Sequence, residues 1–432
     1  MRFKRLLVGV MAAVLLTGLT ACALPEGTSL PPQEEENPMP AGEAGEIKEV
    51  VPMDQQNRVW NVKDFGAAGD GKTDDYAALC RAVDTVLGAG GGTVYFPEGT
   101  YRLSQTLTID AAGEAPLTLL SDPAASVNLK TDATVAGPVV YVDHPYVTIN
   151  HVSLTCSTGE ETPGLVLASD YGMLESMAVY MSAGNTQPGI LVYGSYNTIK
   201  NSGVGYSADT GYMIAFSKKP GVAACGNVLE DTHFGGTHGK CVLVTSEDEN
   251  GCQENLTIRR NVFLVVSCDQ VEVQAGRNVY ITDNMLDAAG VCVLLDPLPV
   301  GIDGLQMTDN YCGASSGGDR TGGLRTQDTF GGTIRRVIVS ANYFWSPNAI
   351  LVASEKHTAF TITDNYFVLM GGNALYMKTA AGSYMEGNAV SNISATTALY
   401  LEEVDDHTVI QYNSWGNNVS VPSWQDRFAA LH

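Results

Sequence analysis

Basic residues are scarce in this sequence. Its 432 residues hold 24 Lys and Arg against 47 Asp and Glu, a formal net charge of −23. So acidic a chain lacks the positive field that draws in phosphate backbones, which argues against nucleic acid and against broad basic contact with anionic lipid. Zinc spacings are missing as well. Nine cysteines and seven histidines include no C-x-x-C pair and no histidine partners at zinc-ligand distance. The apolar run from Leu6 to Leu19 is too short to span a bilayer as a mature helix. Within the repeats described next, helical spacing is absent, which excludes the TPR, ankyrin and HEAT solenoids.

What recurs is one short pattern. IRRNVF at 258, ITDNML at 281, VSANYF at 339, ITDNYF at 362 and IQYNSW at 410 each read aliphatic, two residues, Asn, one residue, apolar. With two weaker copies, the anchor asparagines are Asn261, Asn284, Asn310, Asn342, Asn365, Asn388 and Asn413, at steps of 23, 26, 32, 23, 23 and 25 residues. Four copies without Asn precede them, INHVSL at 149, LESMAV at 174, IKNSGV at 199 and LEDTHF at 229. The eleven first positions are Ile149, Leu174, Ile199, Leu229, Ile258, Ile281, Met307, Val339, Ile362, Met385 and Ile410. A second β-branched or aromatic run follows most anchors, as in CVLV at 241, QVEV at 270, CVLL at 292 and ALYM at 374. Leucine-rich repeats would need Leu at most framework sites and a longer convex segment. The pattern therefore predicts an all-β fold, a single-stranded right-handed parallel β-helix of about 11 or more rungs. Rungs spaced at about 4.8 Å would make a rod roughly 50 Å long. The Asn column is expected at a turn, where Asn tolerates left-handed φ and its amide bonds to the next rung.

The N-terminus carries an export signal. In residues 1–21, Arg2, Lys4 and Arg5 precede the apolar run, and Leu19-Thr20-Ala21-Cys22 resembles a bacterial lipobox that makes Cys22 the lipidated first residue. Residues 22–56 are rich in Pro, Gly and Glu without apolar periodicity, a solvated tether. On this reading the protein is exported and held at the cell surface, touching the membrane through its N-terminal lipid only. Loss of the signal leaves 21 basic against 47 acidic residues, a net −26. Any polyanionic ligand would then need a local basic patch or a bridging cation, so Ca2+ is admitted as a cofactor without being required. Cys241, Cys268 and Cys292 recur at similar places in three successive rungs and read as buried free thiols.

Residues 57–120 read as an N-terminal cap and first rungs, 121–418 as the β-helix and 419–432 as a C-terminal cap. Within the first of these, Gly66 to Thr73 matches the G-x-x-x-x-G-K-[ST] phosphate loop. No α/β alternation follows it and no later strand supplies an evident Mg2+ carboxylate, so no nucleotide is expected. A helix is expected instead, with Thr73 as N-cap, Asp74 and Asp75 at its positive end, and Gly88 as its stop. Its apolar stripe of Tyr76, Leu79, Cys80, Val83, Val86 and Leu87 would cover the open first rung.

The run DFGA-x-GDG-x-TDD, helix, GGGTVYFP-x-GTY over residues 59–103 resembles the N-terminal signature of the pectate-lyase-like superfamily. That superfamily includes polygalacturonases, rhamnogalacturonases, epimerase-like proteins and phage tailspikes. The resemblance implies a right-handed β-helix acting on acidic polysaccharide, as a lyase or a hydrolase. A non-catalytic binding or adhesion protein is the alternative. The polygalacturonase motifs NTD, DD and GHG correspond to Asn185-Thr186-Gln187, Ala208-Asp209 and Thr237-His238-Gly239. Gln187 and Ala208 stand where Asp is expected, and the later Arg-x-Lys motif is not evident, which leaves Asp209 alone of the carboxyl set and Gln187 as a candidate substrate contact.

A lyase needs a base beside the uronate carboxyl and a cation to neutralise the enolate. His238 and Lys240 lie two apart, on one face if extended. The residues before the anchors, Asp231, Arg260, Asp283 and Asp309, form a column that would bind substrate through Arg260 and Asp231. Asp283 and Asp309 are weaker candidates for a metal. An ordinary turn explains the same acidic residues. One column over, Glu175, Lys200, Glu230 and Arg259 alternate in sign, as cross-rung ion pairs would. Two long segments are loop candidates: Thr245 to Cys252, read as an acidic turn, and Gly313 to Gly332, a flexible solvated loop by default, whose Arg320 and Arg325 would otherwise gate a sugar cleft.

Overall fold

The computed structural model describes residues 58–420 except 159–160, 183, 206–210, 237–239, 266–268, 289, 315–320, 369–370, 392–396 and 416–418. The signal, Cys22, the tether, Asp209, His238, Cys268, Arg320 and residues 421–432 thus lie outside the described residues.

Short parallel strands stack into long sheets, one strand per sheet per turn. The first sheet has 14 strands, from Val59–Asn61 to Val409–Gln411. The second has 13, from Leu107–Ile109 to Val419–Ser420. A third face is built from six strands, Asp70–Asp74 to Gly203–Gly205, and then seven, His233–Gly236 to Ala389–Ser391. The chain is a right-handed parallel β-helix of about 12 turns.

Register follows the repeat. Leu174 pairs with Ile149 and Ile199, Ile258 with Leu229 and Ile281, and Ile362 with Val339 and Met385. All eleven first positions are at most 4% exposed. Because parallel strands repeat the same position one rung on, each core position becomes a column. Phe234 stacks on Phe263 at 4.5 Å and Phe344 on Phe367 at 5.2 Å. The second runs, including CVLV and QVEV, fall in the second sheet at Lys240–Ser246 and Val271–Val273.

The asparagines hold the coil together, but not by turning left themselves. The residue before each anchor does so: φ is 54° at Arg260, 56° at Asp283, 57° at Asp309 and 56° at Asp364. One left-handed residue swings the chain from the first sheet to the third, and the next amide N–H is buried at the corner. The following rung supplies its acceptor. Asn284 Oδ1 takes the Asn261 N–H at 2.9 Å, and Asn310 Oδ1 takes that of Asn284 at 2.9 Å. Each Nδ2 reaches back to the previous first position, as from Asn284 to the Ile258 carbonyl at 2.9 Å. From Asn261 to Asn388 the anchor amide and its side-chain NH2 are thereby met. Upstream, Ser202 and Thr232 do the same with hydroxyls, Met177 N–H donating to Ser202 Oγ at 3.1 Å. Thr232 N–H in turn donates to Asn261 Oδ1 at 3.0 Å.

Helix α1, Tyr76–Gly88, packs on Gly92–Phe96 and Leu107–Ile109 and buries Leu79, Val83 and Val86. Its start differs from expectation. Asp75 holds the N-cap position, and its carboxylate accepts from the N–H groups of Ala68 and Gly69 at 2.6 and 3.0 Å. Thr73 lies in the strand Asp70–Asp74, which pairs with Gly99–Leu103, so the Gly66–Thr73 segment is turn and strand and no phosphate cradle at a helix start. Strand pairing has overridden the capping preference. At the other end, Gly88 is the last helical residue, and the left-handed turn comes at Gly90 and Gly91. The segment Gly313 to Gly332 is likewise no single loop, because Gly322–Thr326 is a strand of the second sheet. Cys156, Cys241, Cys252, Cys292 and Cys312 are buried free thiols.

Candidate functional site

Alternation along a strand points every second residue of the second sheet outward. One outward row runs in register through Leu191, Ala215, Leu243, Glu272, Leu294 and Arg325. Glu272 is the acidic member of that row, and it is only 5% exposed. A carboxylate so placed must be paired and hydrogen-bonded to be tolerated. Tyr212 donates to its Oε2 at 2.5 Å, Lys240 Nζ lies 3.2 Å from the same oxygen, and Gln274 donates to Oε1 at 2.7 Å. Lys240 also donates to the Tyr212 hydroxyl at 3.1 Å. Thr245 fixes Gln274 from behind, donating to its Oε1 at 2.8 Å.

The three clustered side chains come from adjacent strands: Tyr212 and Lys240 are direct register partners, and Val271–Val273 is the next strand along. Burial first, then the charge and hydrogen bond of Glu272, holds the proton on Tyr212 far above the usual phenol range. The arrangement therefore presents a protonated phenol beside a half-exposed ammonium, braced by a buried carboxylate.

Of the residues expected from sequence, Lys240 is in this cluster and Arg325 is on the same face, two strands beyond Glu272, about 10 Å at the usual strand spacing. The others are elsewhere. Gln187 belongs to a turn in which Asn185 Oδ1 accepts its N–H at 2.9 Å, while Asn185 donates to the Thr162 carbonyl at 2.9 Å. Asp231, Arg260, Asp283 and Asp309 are the left-handed corner residues between the first and third sheets. Arg260 donates to Asp231 at 2.8 and 2.9 Å and to Glu230 at 2.8 Å, and the Arg260 hydrogen bond holds Asp231 below the usual carboxylate range. Among the described residues no group of three or more His, Cys, Asp or Glu lies close enough to hold a metal ion. The alternating column forms as ion pairs, Lys200 to Glu175 at 2.9 Å and Arg259 to Glu230 at 2.8 Å. Of the segment Thr245 to Cys252, the first two residues end the strand Lys240–Ser246 and the rest turns, with Asp248 taking the Asn250 N–H at 3.0 Å and Lys218 Nζ at 3.2 Å.

Sequence reasoning missed Tyr212 and Glu272. They stand 28 residues before and 32 after Lys240, about one rung each way. The usable signal was the QVEV run, whose glutamate interrupts a buried strand.

Comparison with known proteins agrees with this architecture. Alginate lyase 7 of Azotobacter vinelandii is 64% identical over 45 residues, 10% of this chain and 5% of the relative. Plasmin and fibronectin-binding protein A of Streptococcus pneumoniae is 32% identical over 87 residues, 20% of this chain and 12% of the relative. The match thus spans only a small fraction of either relative's length. A tailspike protein mutant of E. coli bacteriophage HK620, solved in complex with a pentasaccharide, shares the fold with a TM-score of 0.56 at 13% identity. That likeness covers 85% of this chain and 78% of the tailspike chain. The family profile for rhamnogalacturonase A/epimerase, pectate lyase-like, matches residues 59–284, just over half of the sequence. With the coil, the capping helix and the N-terminal signature all in place, the chain belongs to the rhamnogalacturonase A/epimerase, pectate lyase-like family.

Proposed function

We propose that the protein acts on an acidic, uronate-containing polysaccharide at the outer face of the second sheet, by removing the proton beside a uronate carboxyl group. The observation that carries this reading is the Tyr212–Lys240–Glu272 cluster. Lys240 supplies a cation in an otherwise acidic protein, and against the uronate carboxylate it would stabilise the enolate that forms when C5 loses its proton. His238, two residues before Lys240, is the base we assign. In elimination the base takes the C5 proton, the C4–O bond breaks and a C4=C5 double bond forms. Water protonates the departing oxygen, because Tyr212 keeps its own proton against Glu272 and serves to hold Lys240 and Glu272 in place. Epimerisation would share the first step and return a proton to the opposite face of C5. Inverting hydrolysis needs two carboxyls about 6.5–9.5 Å apart, one acid and one base, and Glu272 is already tied to Tyr212 and Gln274.

Incubation with polygalacturonate, rhamnogalacturonan and alginate tests the reading. Elimination raises the ultraviolet absorbance of unsaturated uronate, and hydrolysis yields reducing ends without it. Lys240→Ala and His238→Ala are each expected to slow turnover by about 100-fold or more, and unchanged turnover in either rejects that assignment. Since Lys240 stands where a cation would act, EDTA is expected to leave turnover unchanged. A second reading, binding or adhesion without turnover, is favoured by the Asn185–Gln187 turn, which is held as structure where a hydrolase carries an acid. Retention on immobilised polysaccharide without product would support it. We also infer export and anchoring through lipid on Cys22; labelling with a lipid analogue should be lost in Cys22→Ala.

A further inference from the structure

On the outer face of the third sheet an exposed apolar row runs along the axis of the coil. Met285, Tyr311, Tyr343 and Tyr366 are consecutive register partners, one per rung. Met285, Tyr343 and Tyr366 are 41%, 38% and 42% exposed, and Leu264 on the same sheet is 38% exposed. Single exposed apolar residues are ordinary on any surface, but a contiguous row of them marks a contact site. Tyr311 and Tyr343 stack at 5.5 Å between ring centroids, and Tyr343 and Tyr366 stand 5.7 Å apart with a tilt of 34°. Trp345 stands in the neighbouring outward row and, with Tyr311 and Tyr343, lines a cavity of about 310 Å³. That volume is at the small end of the range for ligand pockets. Gly313 is the register partner of Asp287 and Trp345, and a Cβ there would stand 3.0 Å from the Tyr311 ring, so the glycine lets that ring lie close against the sheet beside Trp345.

Shape and chemistry narrow the occupant. The row is one side chain wide and four rungs long, about 15 Å at the usual strand spacing, whereas a stable protein partner covers about 800 Å². A linear ligand fits it better than a globular one. Among the described residues, the hydroxyls of Tyr311, Tyr343 and Tyr366 and the Trp345 indole N–H make no hydrogen bond. Aromatic side chains with an apolar body and an unmet polar tip suit a partner that is itself half apolar and half hydroxyl. Pyranose rings are such partners, with C–H faces for the rings and hydroxyls for the donors. The charge beside that glycine is the Asp287 carboxylate, which lies 3.1 Å from where a Gly313 Cβ would stand. It would repel a uronate and accept hydrogen bonds from neutral sugar hydroxyls. We propose that this row is a second saccharide site, separate from the Lys240 cluster, which binds neutral pyranose units of a chain lying along the coil. It stands on the aromatic row alone and does not rest on the uronate chemistry.

The test is calorimetric titration of the intact protein with cellohexaose, mannohexaose and hexagalacturonate, with tryptophan fluorescence followed in parallel. At least one neutral hexaose is expected to bind at sub-millimolar concentration and to shift the emission. Trp345→Ala and Tyr343→Ala should each weaken that binding by about tenfold or more, some 1.4 kcal/mol, with circular dichroism verifying that both fold. Tyr146→Ala, which removes an exposed tyrosine from a different corner, and Lys240→Ala should leave it intact. The proposal is overturned if neither neutral hexaose binds, or if binding survives both substitutions in the row. It is also overturned if sedimentation shows self-association that Tyr343→Ala abolishes, since the row would then be a contact between copies.

Discussion

Asn310→Ala would cut the asparagine ladder at its middle. Asn310 Oδ1 is the acceptor of the buried Asn284 N–H at 2.9 Å and of Asn284 Nδ2 at 3.0 Å. Its own Nδ2 donates to the carbonyls of Ile281 and Thr308 at 2.8 and 2.9 Å and to Asn342 Oδ1 at 3.0 Å. Truncation leaves the Asn284 N–H without that acceptor, at about 1–3 kcal/mol, and removes further bonds worth about 1 kcal/mol each. We expect a net loss on the order of 3 kcal/mol, measured by urea unfolding followed by circular dichroism. Asn413→Ala, at the half-exposed end of the ladder where water can substitute, should lose about 1 kcal/mol. Asn310→Asp decides the cause. It is almost the same size and keeps an acceptor for Asn284, but it sets an oxygen against the Ile281 and Thr308 carbonyls. It should be at least as damaging as alanine. An aspartate variant within about 0.5 kcal/mol of the parent would refute the hydrogen-bond account.

Three further outcomes are expected. Phe263→Ala removes a fully buried ring stacked on Phe234 and should lose about 3–5 kcal/mol in the same unfolding experiment. Gly194→Ala would bring a Cβ to 2.0 Å from the Ser169 carbonyl oxygen, forcing two rungs apart, and should lose about 2 kcal/mol or yield no soluble protein. His357 is buried against Thr326 Oγ1 at 2.8 Å, and burial lowers its pKa from the ordinary 6.5. Below 6.5 the unfolded chain takes up a proton that the folded one refuses, so stability should fall as pH drops from about 7.5 to about 5.5. His357→Gln should flatten that slope in thermal melts, and an unchanged slope would count against the assignment. Carboxylates held low by ion pairs, such as Asp231 and Asp303, would act only at lower pH.

Much of the coil is legible in the sequence, and where the structure departs from expectation the reason is physical. Ile258, Ile281 and Ile362 could be read as a column because burial tolerates only apolar residues at an inward position in every rung. The asparagines were read correctly as a hydrogen-bonded ladder, but the left-handed φ belongs one residue earlier. Asn favours that conformation locally, yet the corner needs its side chain inside and its backbone amide donated to the next rung. The same shift explains Asp231, Arg260, Asp283 and Asp309. Their spacing is that of the corner, where the structure places all four. Thr73 has a capping side chain, but pairing of Asp70–Asp74 with Gly99–Leu103 outweighs it.

By itself, then, the order of residues determined the coiled architecture, its inward columns, the capping helix and the sign-alternating pairs from Glu175 to Arg259. Each of these follows from a local rule repeated at nearly constant spacing, so no long-range knowledge is needed. Only the folded chain decided which outward side chains meet. Tyr212, Lys240 and Glu272, or Tyr311, Tyr343, Tyr366 and Trp345, are brought together by rung-to-rung register. Loops of unequal length absorb 23 residues in one turn and 32 in another, so that register cannot be counted along the sequence. Outward positions are also free of the burial constraint that makes inward ones readable, because water accepts almost any residue there.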